Sequence, residues 1–155
     1  MIEQFPFMDL ALEAAAEAAR NGEVPVGAVV VGAERQVLAV ARNRTIELRD
    51  PTAHAELLAI REACRILGSE RLVGCDMFVT LEPCAMCAAA ISFARIRRLY
   101  FGAEDERMGG VEHGPLLFTQ PTCHHRPEVY GGIRAVSARR LLQRFFQDRR
   151  PLPGR

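Results

Sequence analysis

His54 and Glu56 stand two apart in "DPTAHAELLAI" (50–60), and Cys84 and Cys87 stand three apart in "EPCAMC" (82–87). Imidazole nitrogen and thiolate sulfur are ligands that zinc accepts readily. One histidine and two cysteines fill three of zinc's four positions and leave the fourth for water. Water held there ionises near neutrality, its pKa falling to about 7. A carboxylate beside that water moves protons without binding the ion, and Glu56 is the candidate.

Spacing assigns the roles. In a regular helix, residues two apart diverge by about 200° around the axis. His54 and Glu56 therefore do not both ligate one ion, and a division of labour follows, with His54 on the metal and Glu56 on the water. Cys84 and Cys87 share one helix face, in a first turn where free amides and the helix dipole favour thiolate. Each motif alone has a plainer reading: a histidine opening an alanine-rich helix as an ordinary surface or core residue, and C-x-x-C as a redox pair. Together and in order, each at a helix start after an extended segment, they point to a metal enzyme. A structural zinc site stays open as the alternative, with Cys123, His124 or His125 as fourth ligand.

The elements that must carry these residues follow from pattern. Residues 8–22 are rich in helix formers and stop at Asn21–Gly22. Runs at 26–31 and 36–41 read as a hairpin. A helix over 51–67 takes Asp50 as its cap and Pro51 at its first position. A strand at 76–81, a helix at 83–94 opened by Pro83, and a strand at 97–103 come next. Residues 104–127, with three of the four histidines, read as a functional loop holding at most one short helix. A final strand at 128–133 precedes an amphipathic helix at 134–150. Helices alternating with apolar strands predict an α/β layered domain with both sheet faces covered.

Composition bounds the rest. A chain of 155 residues, 49% hydrophobic, suits one domain over 1–155. Its longest apolar runs, 26–33 and 85–94, fall far short of the roughly 20 residues that cross a bilayer. "MIEQFPFMDLA" sets an acid, not a basic stretch, before its apolar residues, so neither signal peptide nor membrane is expected and the location reads as cytoplasmic. The odd count of five cysteines argues for metal or redox chemistry over disulfides, with Cys64 and Cys75 inert in apolar surroundings. Net charge is +1, which argues against an indiscriminate nucleic-acid coat, yet all twenty basic residues are arginine, whose fork grips phosphate bidentately.

H-A-E at 54–56 with P-C-A-M-C at 83–87 resembles the signature of the zinc-dependent nucleoside and nucleobase deaminases. "EVPVGAVVV" (23–31), "RNR" (42–44), "DPTAHAE" (50–56), "VTLEPCAMC" (79–87), "FGAEDERMGG" (101–110) and the "LLQRFFQDRR" tail (141–150) are similar, in sequence and order, to the bacterial tRNA-specific adenosine deaminase family. The resemblance implies a three-layer α/β/α cytidine-deaminase-like domain with a mixed sheet of about five strands. It implies one zinc ion per chain on His54, Cys84 and Cys87, with Glu56 as general acid and base. It implies hydrolysis in which activated water attacks the carbon bearing the amino group, Glu56 protonates the ring nitrogen and ammonia leaves.

Further roles rest on the same likeness. Asn43 would hydrogen-bond a flipped purine, although a turn residue is its plainer reading. Val26 and Leu81 would flank the base, or serve only as core. Asp105 would lie near the sugar and backbone, or be an ordinary loop acid. Between Arg134 and Arg155 stand seven arginines and one acid, Asp148. Arg149 and Arg150 there would meet phosphates of a tRNA anticodon stem-loop while Phe145 stacks on a splayed base; a solvated helix face over a buried phenylalanine pair is the alternative. A homodimer is implied as well. Arg107 stands where the family often has lysine, and "TCHHRPEVYGG" (122–132) is rich in metal-ligand types, read as a loop or RNA contact ahead of a second metal site. The rivals to wobble-adenosine deamination are a free guanine or cytosine deaminase and a zinc-stabilised RNA-binding module without catalysis.

Overall fold

The computed structural model describes residues 2–149. A 3-10 turn, Ile2–Gln4, leads into α1, Phe5–Arg20, whose Met8, Ala11, Ala15 and Ala18 fall on one buried stripe. The side-chain amide of Asn21 donates to Glu17 O at 2.8 Å and Gly22 turns away at φ +76°, the stop expected there. Strands β1, Gly27–Val31, and β2, Val37–Arg42, form the antiparallel hairpin. Helix α2 is Ala55–Leu67, β3 is Asp76–Leu81, α3 is Ala85–Phe93 and β4 is Arg98–Ala103. After a long loop holding one 3-10 turn, Leu117–Thr119, come β5, Glu128–Tyr130, and α4, Ala135–Asp148.

The described residues form one mixed five-stranded sheet in the order β2-β1-β3-β4-β5. β1 is antiparallel to both neighbours, whereas β3, β4 and β5 run parallel. Parallel neighbours need a crossover, and α3 supplies it between β3 and β4. Alternation along the strands divides the core. Val29, Val31, Phe78 and Tyr100 face α1, while Val30, Met77, Val79, Leu99 and Phe101 face the side of α2 and α3. α4 packs on β4 beside α1, which gives three layers, α/β/α. Gly27 lets α1 lie directly on the sheet, because a Cβ there would stand 2.0 Å from Ala11 O.

Helix α1 starts at Phe5, ahead of the expected 8, and three other boundaries differ for reasons the contacts show. α2 starts at Ala55, not at 51. Asp50 does not cap it; its Oδ1 instead accepts from the N–H and the hydroxyl of Thr52, closing a turn of its own. α3 starts at Ala85, not at Pro83, because Gly110 N–H donates to Pro83 O and Cys84 bridges to Gly109 in extended geometry. β5 ends at Tyr130, where Gly131 and the left-handed Gly132 (φ +85°) carry the chain away and Ile133 N–H returns to Phe101 O.

Candidate active site

The late helix starts decide how the site is built. His54 precedes α2 with an extended backbone (φ −74°, ψ 151°), and Cys84 precedes α3 likewise (φ −69°, ψ 173°). Neither is inside a helix, so the angular divergence between His54 and Glu56 is not that of a regular helix. His54 swings from the cap position, and Glu56 points from the first turn, into the same space. Cys87 sits in the first turn of α3 and is fully buried.

Nδ1 of His54 lies 3.7 Å from Cys84 Sγ and 3.5 Å from Cys87 Sγ. The ligand atoms of all three lie within 4.8 Å of one another. That spacing and donor set, one imidazole and two thiols, fit a single zinc ion with a position to spare. Among the described residues no fourth protein ligand joins them. Cys123 donates to His125 O at 3.2 Å, His125 Nε2 meets Ile96 O at 2.6 Å and His124 is exposed, so the structural-site alternative and a second metal in that loop both lack their ligands.

Electrostatics at the cluster are uneven. The adjoining Cys87, with His54 beside it, holds the Cys84 thiol down at about 4, and the same contact pushes Cys87 up. The Cys84 sulfur also raises His54. Burial pushes the Glu56 carboxyl up to about 7. Cys64 and Cys75 have thiols raised by burial, which fits inert residues.

A cavity of about 270 Å³ opens beside these groups. His54, Glu56 and Cys84 line it, and so do Val26, Asn43, Leu81 and Asp105. Val26 is both core and cavity wall. Asn43 is buried, its N–H donates to Val26 O, and its side-chain amide has no partner among the described residues. Asp105 closes its own turn, with Oδ1 accepting from Arg107 N–H and Met108 N–H, while still bordering the cavity.

The tail is arranged otherwise. Phe145 is only 7% exposed and Phe146 is 54% exposed. The buried stripe of α4 runs through Ala138 and Phe145, and Phe146, one residue further round the helix, faces out. Phe145 is therefore a packing residue, not a free stacking platform. Arg149 folds back with its guanidinium 3.6 Å over the Phe145 ring. Neither lines the cavity, and Arg150 lies outside the described residues.

Sequence reasoning missed Val24, Thr45 and Met108 in the cavity wall, and the two carboxylates that shape it. Glu23 accepts from Ile46 N–H and Glu47 N–H and fixes the turn after Asn43. Glu82 fixes the loop of Asp105. Burial would raise Glu82, but the amides of Asp105, Glu112 and Val111 together with His113 outweigh it and hold the carboxyl low. The available signal was an acid placed directly against apolar strands, at 23 before β1 and at 82 after β3.

Residues 1–103 match the family model of the cytidine and deoxycytidylate deaminase zinc-binding region. The chain is 55% identical over 150 residues, 97% of its length, to the tRNA-specific adenosine deaminase of Agrobacterium fabrum, and covers 98% of that protein. A solved structure from work on A-to-I editing by tRNA:A34 deaminases at the wobble position superposes with a TM-score of 0.87 and 57% identity, over 88% of this chain and 99% of that one. The guanine deaminase of Bacillus subtilis aligns with a TM-score of 0.62 and 39% identity, over 64% of this chain and 63% of its own. His54, Glu56, Cys84 and Cys87 all fall within the matched region. The chain belongs to the cytidine and deoxycytidylate deaminase family, among its tRNA-specific adenosine deaminases.

Proposed function

We propose that this chain hydrolytically deaminates the wobble adenosine of a tRNA anticodon, that of arginine tRNA first, to inosine with release of ammonia. The observation that carries the reading is the convergence of His54, Cys84, Glu56 and Asn43 on one cavity in a chain 55% identical to a tRNA-specific adenosine deaminase. His54, Cys84 and Cys87 hold one zinc ion, which supplies the Lewis acidity that activates water. Burial pushes the Glu56 carboxyl up from its ordinary value, which suits it to carry a proton as well as to take one. It takes one proton from the attacking water and gives it to the ring nitrogen, then takes the proton left on the new hydroxyl and gives it to the amino group, which leaves as ammonia.

Asn43 offers the purine edge a donor and an acceptor from an otherwise unengaged amide. Val24, Val26 and Leu81 enclose the flipped base, and Asp105 and Met108 border it from the loop. Arg149 and Arg150 add charge for phosphates, and the stacking role passes from Phe145 to the exposed Phe146. The enzyme works as a single domain in a cytoplasmic homodimer; no helix among the described residues is long and apolar enough to cross a membrane.

The test is conversion of adenosine to inosine in an isolated anticodon stem-loop, beside free adenosine, guanine and cytosine. Conversion of the stem-loop alone, abolished in Glu56→Ala with zinc still bound, is expected. The likeness to guanine deaminase makes free guanine the informative competitor. Turnover of guanine with an untouched stem-loop overturns the reading and moves the chain to the nucleobase branch.

A further inference from the structure

Glu82 joins the end of β3 to the segment that presents Cys84, and its side chain has no exposed surface. It borders the cavity but presents no surface to it, so it acts on a substrate through what it holds. Both oxygens are occupied: Oε1 accepts from Asp105 N–H at 3.1 Å and His113 Nδ1 at 2.8 Å, and Oε2 accepts from Val111 N–H at 3.2 Å and Glu112 N–H at 3.0 Å. All four donors belong to the loop that follows β4. Two more contacts stitch that loop to the same place, Gly110 N–H to Pro83 O at 2.8 Å and the bridge between Cys84 and Gly109. Gly109 is required for the approach, since a Cβ on it would stand 2.3 Å from Glu82 Oε2 and 2.4 Å from Asp105 O.

The loop so held places Asp105 and Met108 against the cavity that Val26 and Asn43, just outside the ends of β1 and β2, also line. A buried carboxylate taking four hydrogen bonds from one loop is a strong constraint, because charge-assisted bonds are roughly twice as strong as neutral ones. Nothing of it serves the metal directly. We propose that Glu82 is a positioning residue for substrate recognition: it locks the 104–113 loop to the metal-ligand turn, so that the wall contacting the nucleotide is preformed. This rests on the deaminase reading for its kinetic part and stands on geometry for the rest.

Glu82→Gln keeps the shape and swaps one acceptor oxygen for an amide that faces N–H donors. Its expected effects are a rise in KM for the stem-loop of about tenfold, the factor one lost charge-assisted hydrogen bond sets, a much smaller change in kcat, and one zinc per chain retained. Amide hydrogen exchange at Val111 and Glu112 quickens by a similar factor while exchange in β1 and β3 stays at its wild-type rate. Gly109→Ala, which pushes the same loop off an intact Glu82, reproduces the KM rise. Unchanged KM and unchanged exchange at Val111 and Glu112 overturn the proposal. Loss of zinc, or exchange quickened throughout the sheet, overturns it too, because Glu82 is then a general structural residue. The exchange comparison needs no substrate, so a wild-type protein that ignores the stem-loop defeats the functional reading while still deciding the lock.

Discussion

Replacing Glu23 by glutamine tests whether the turn after Asn43 is held from across the fold. Glu23 is 1% exposed, and its Oε1 accepts from Ile46 N–H at 3.2 Å and Thr45 Oγ1 at 3.4 Å while Oε2 accepts from Glu47 N–H at 2.8 Å. Whichever way the new amide lies, its NH2 faces at least one backbone N–H, and the remaining bonds lose their ionic partner. One unsatisfied buried donor costs about 1–3 kcal/mol. Ile46 and Glu47 sit in an exposed turn, so water relieves part of this and about 2 kcal/mol is the working value. For a chain of this size that lowers Tm by roughly 4–8 °C. Thr45 borders the cavity beside Asn43, so KM for the stem-loop rises as well. Calorimetry on the zinc-loaded proteins and steady-state kinetics read the two effects. A Tm within about 1 °C of wild type, smaller than any such loss allows, together with an unchanged KM, refutes the reasoning.

Glu56→Gln is expected to keep one zinc per chain and lower kcat by about 10²–10⁴, the range for a lost general acid and base; metal analysis and single-turnover rates check both halves. Gly27→Ala places a Cβ 2.0 Å from Ala11 O and 2.8 Å from Ala15 N, so α1 must lift from the sheet. Overpacking of this kind costs about 1–3 kcal/mol, and an undiminished Tm counts against the close approach. The Glu82 hydrogen bond, with Glu104 and Glu106 nearby, raises His113 above its ordinary value of 6.5. The stability it contributes is therefore fully present below 6.5 and is lost as pH rises through the raised folded value. Proton NMR of the His113 ring gives that midpoint, and Glu82→Gln moves it back down.

Much of the site was legible because its residues announce themselves by chemical type. His54, Glu56, Cys84 and Cys87 need no long-range information to be paired with a metal and a proton, and the strand carrying 76–81 reads directly from its apolar run. The boundaries of α2 and α3 did not, because the residues before them are held extended by partners elsewhere, Gly110 on Pro83 above all. Glu23 and Glu82 were silent for the same reason. Their partners lie 22 to 31 residues away along the chain, and a local pattern carries no trace of them. Phe145 and Phe146 were adjacent candidates that only helix phase separates. The stripe through Ala138 settles which one is inside.

The strand order β2-β1-β3-β4-β5 has a consequence for assembly in time. The β1–β2 hairpin joins neighbours in sequence and closes with little loss of chain entropy, whereas β3 must pair with β1 across the whole of α2. His54 leads α2 and Cys84 follows β3, so the three ligands do not meet until that long-range pairing has formed. Metal capture therefore waits on the pairing of β1 with β3. A nascent chain halted at the end of β3 carries His54 without Cys84 or Cys87, and binds zinc weakly. The ion reports that pairing, and zinc uptake followed in real time becomes a clock for it.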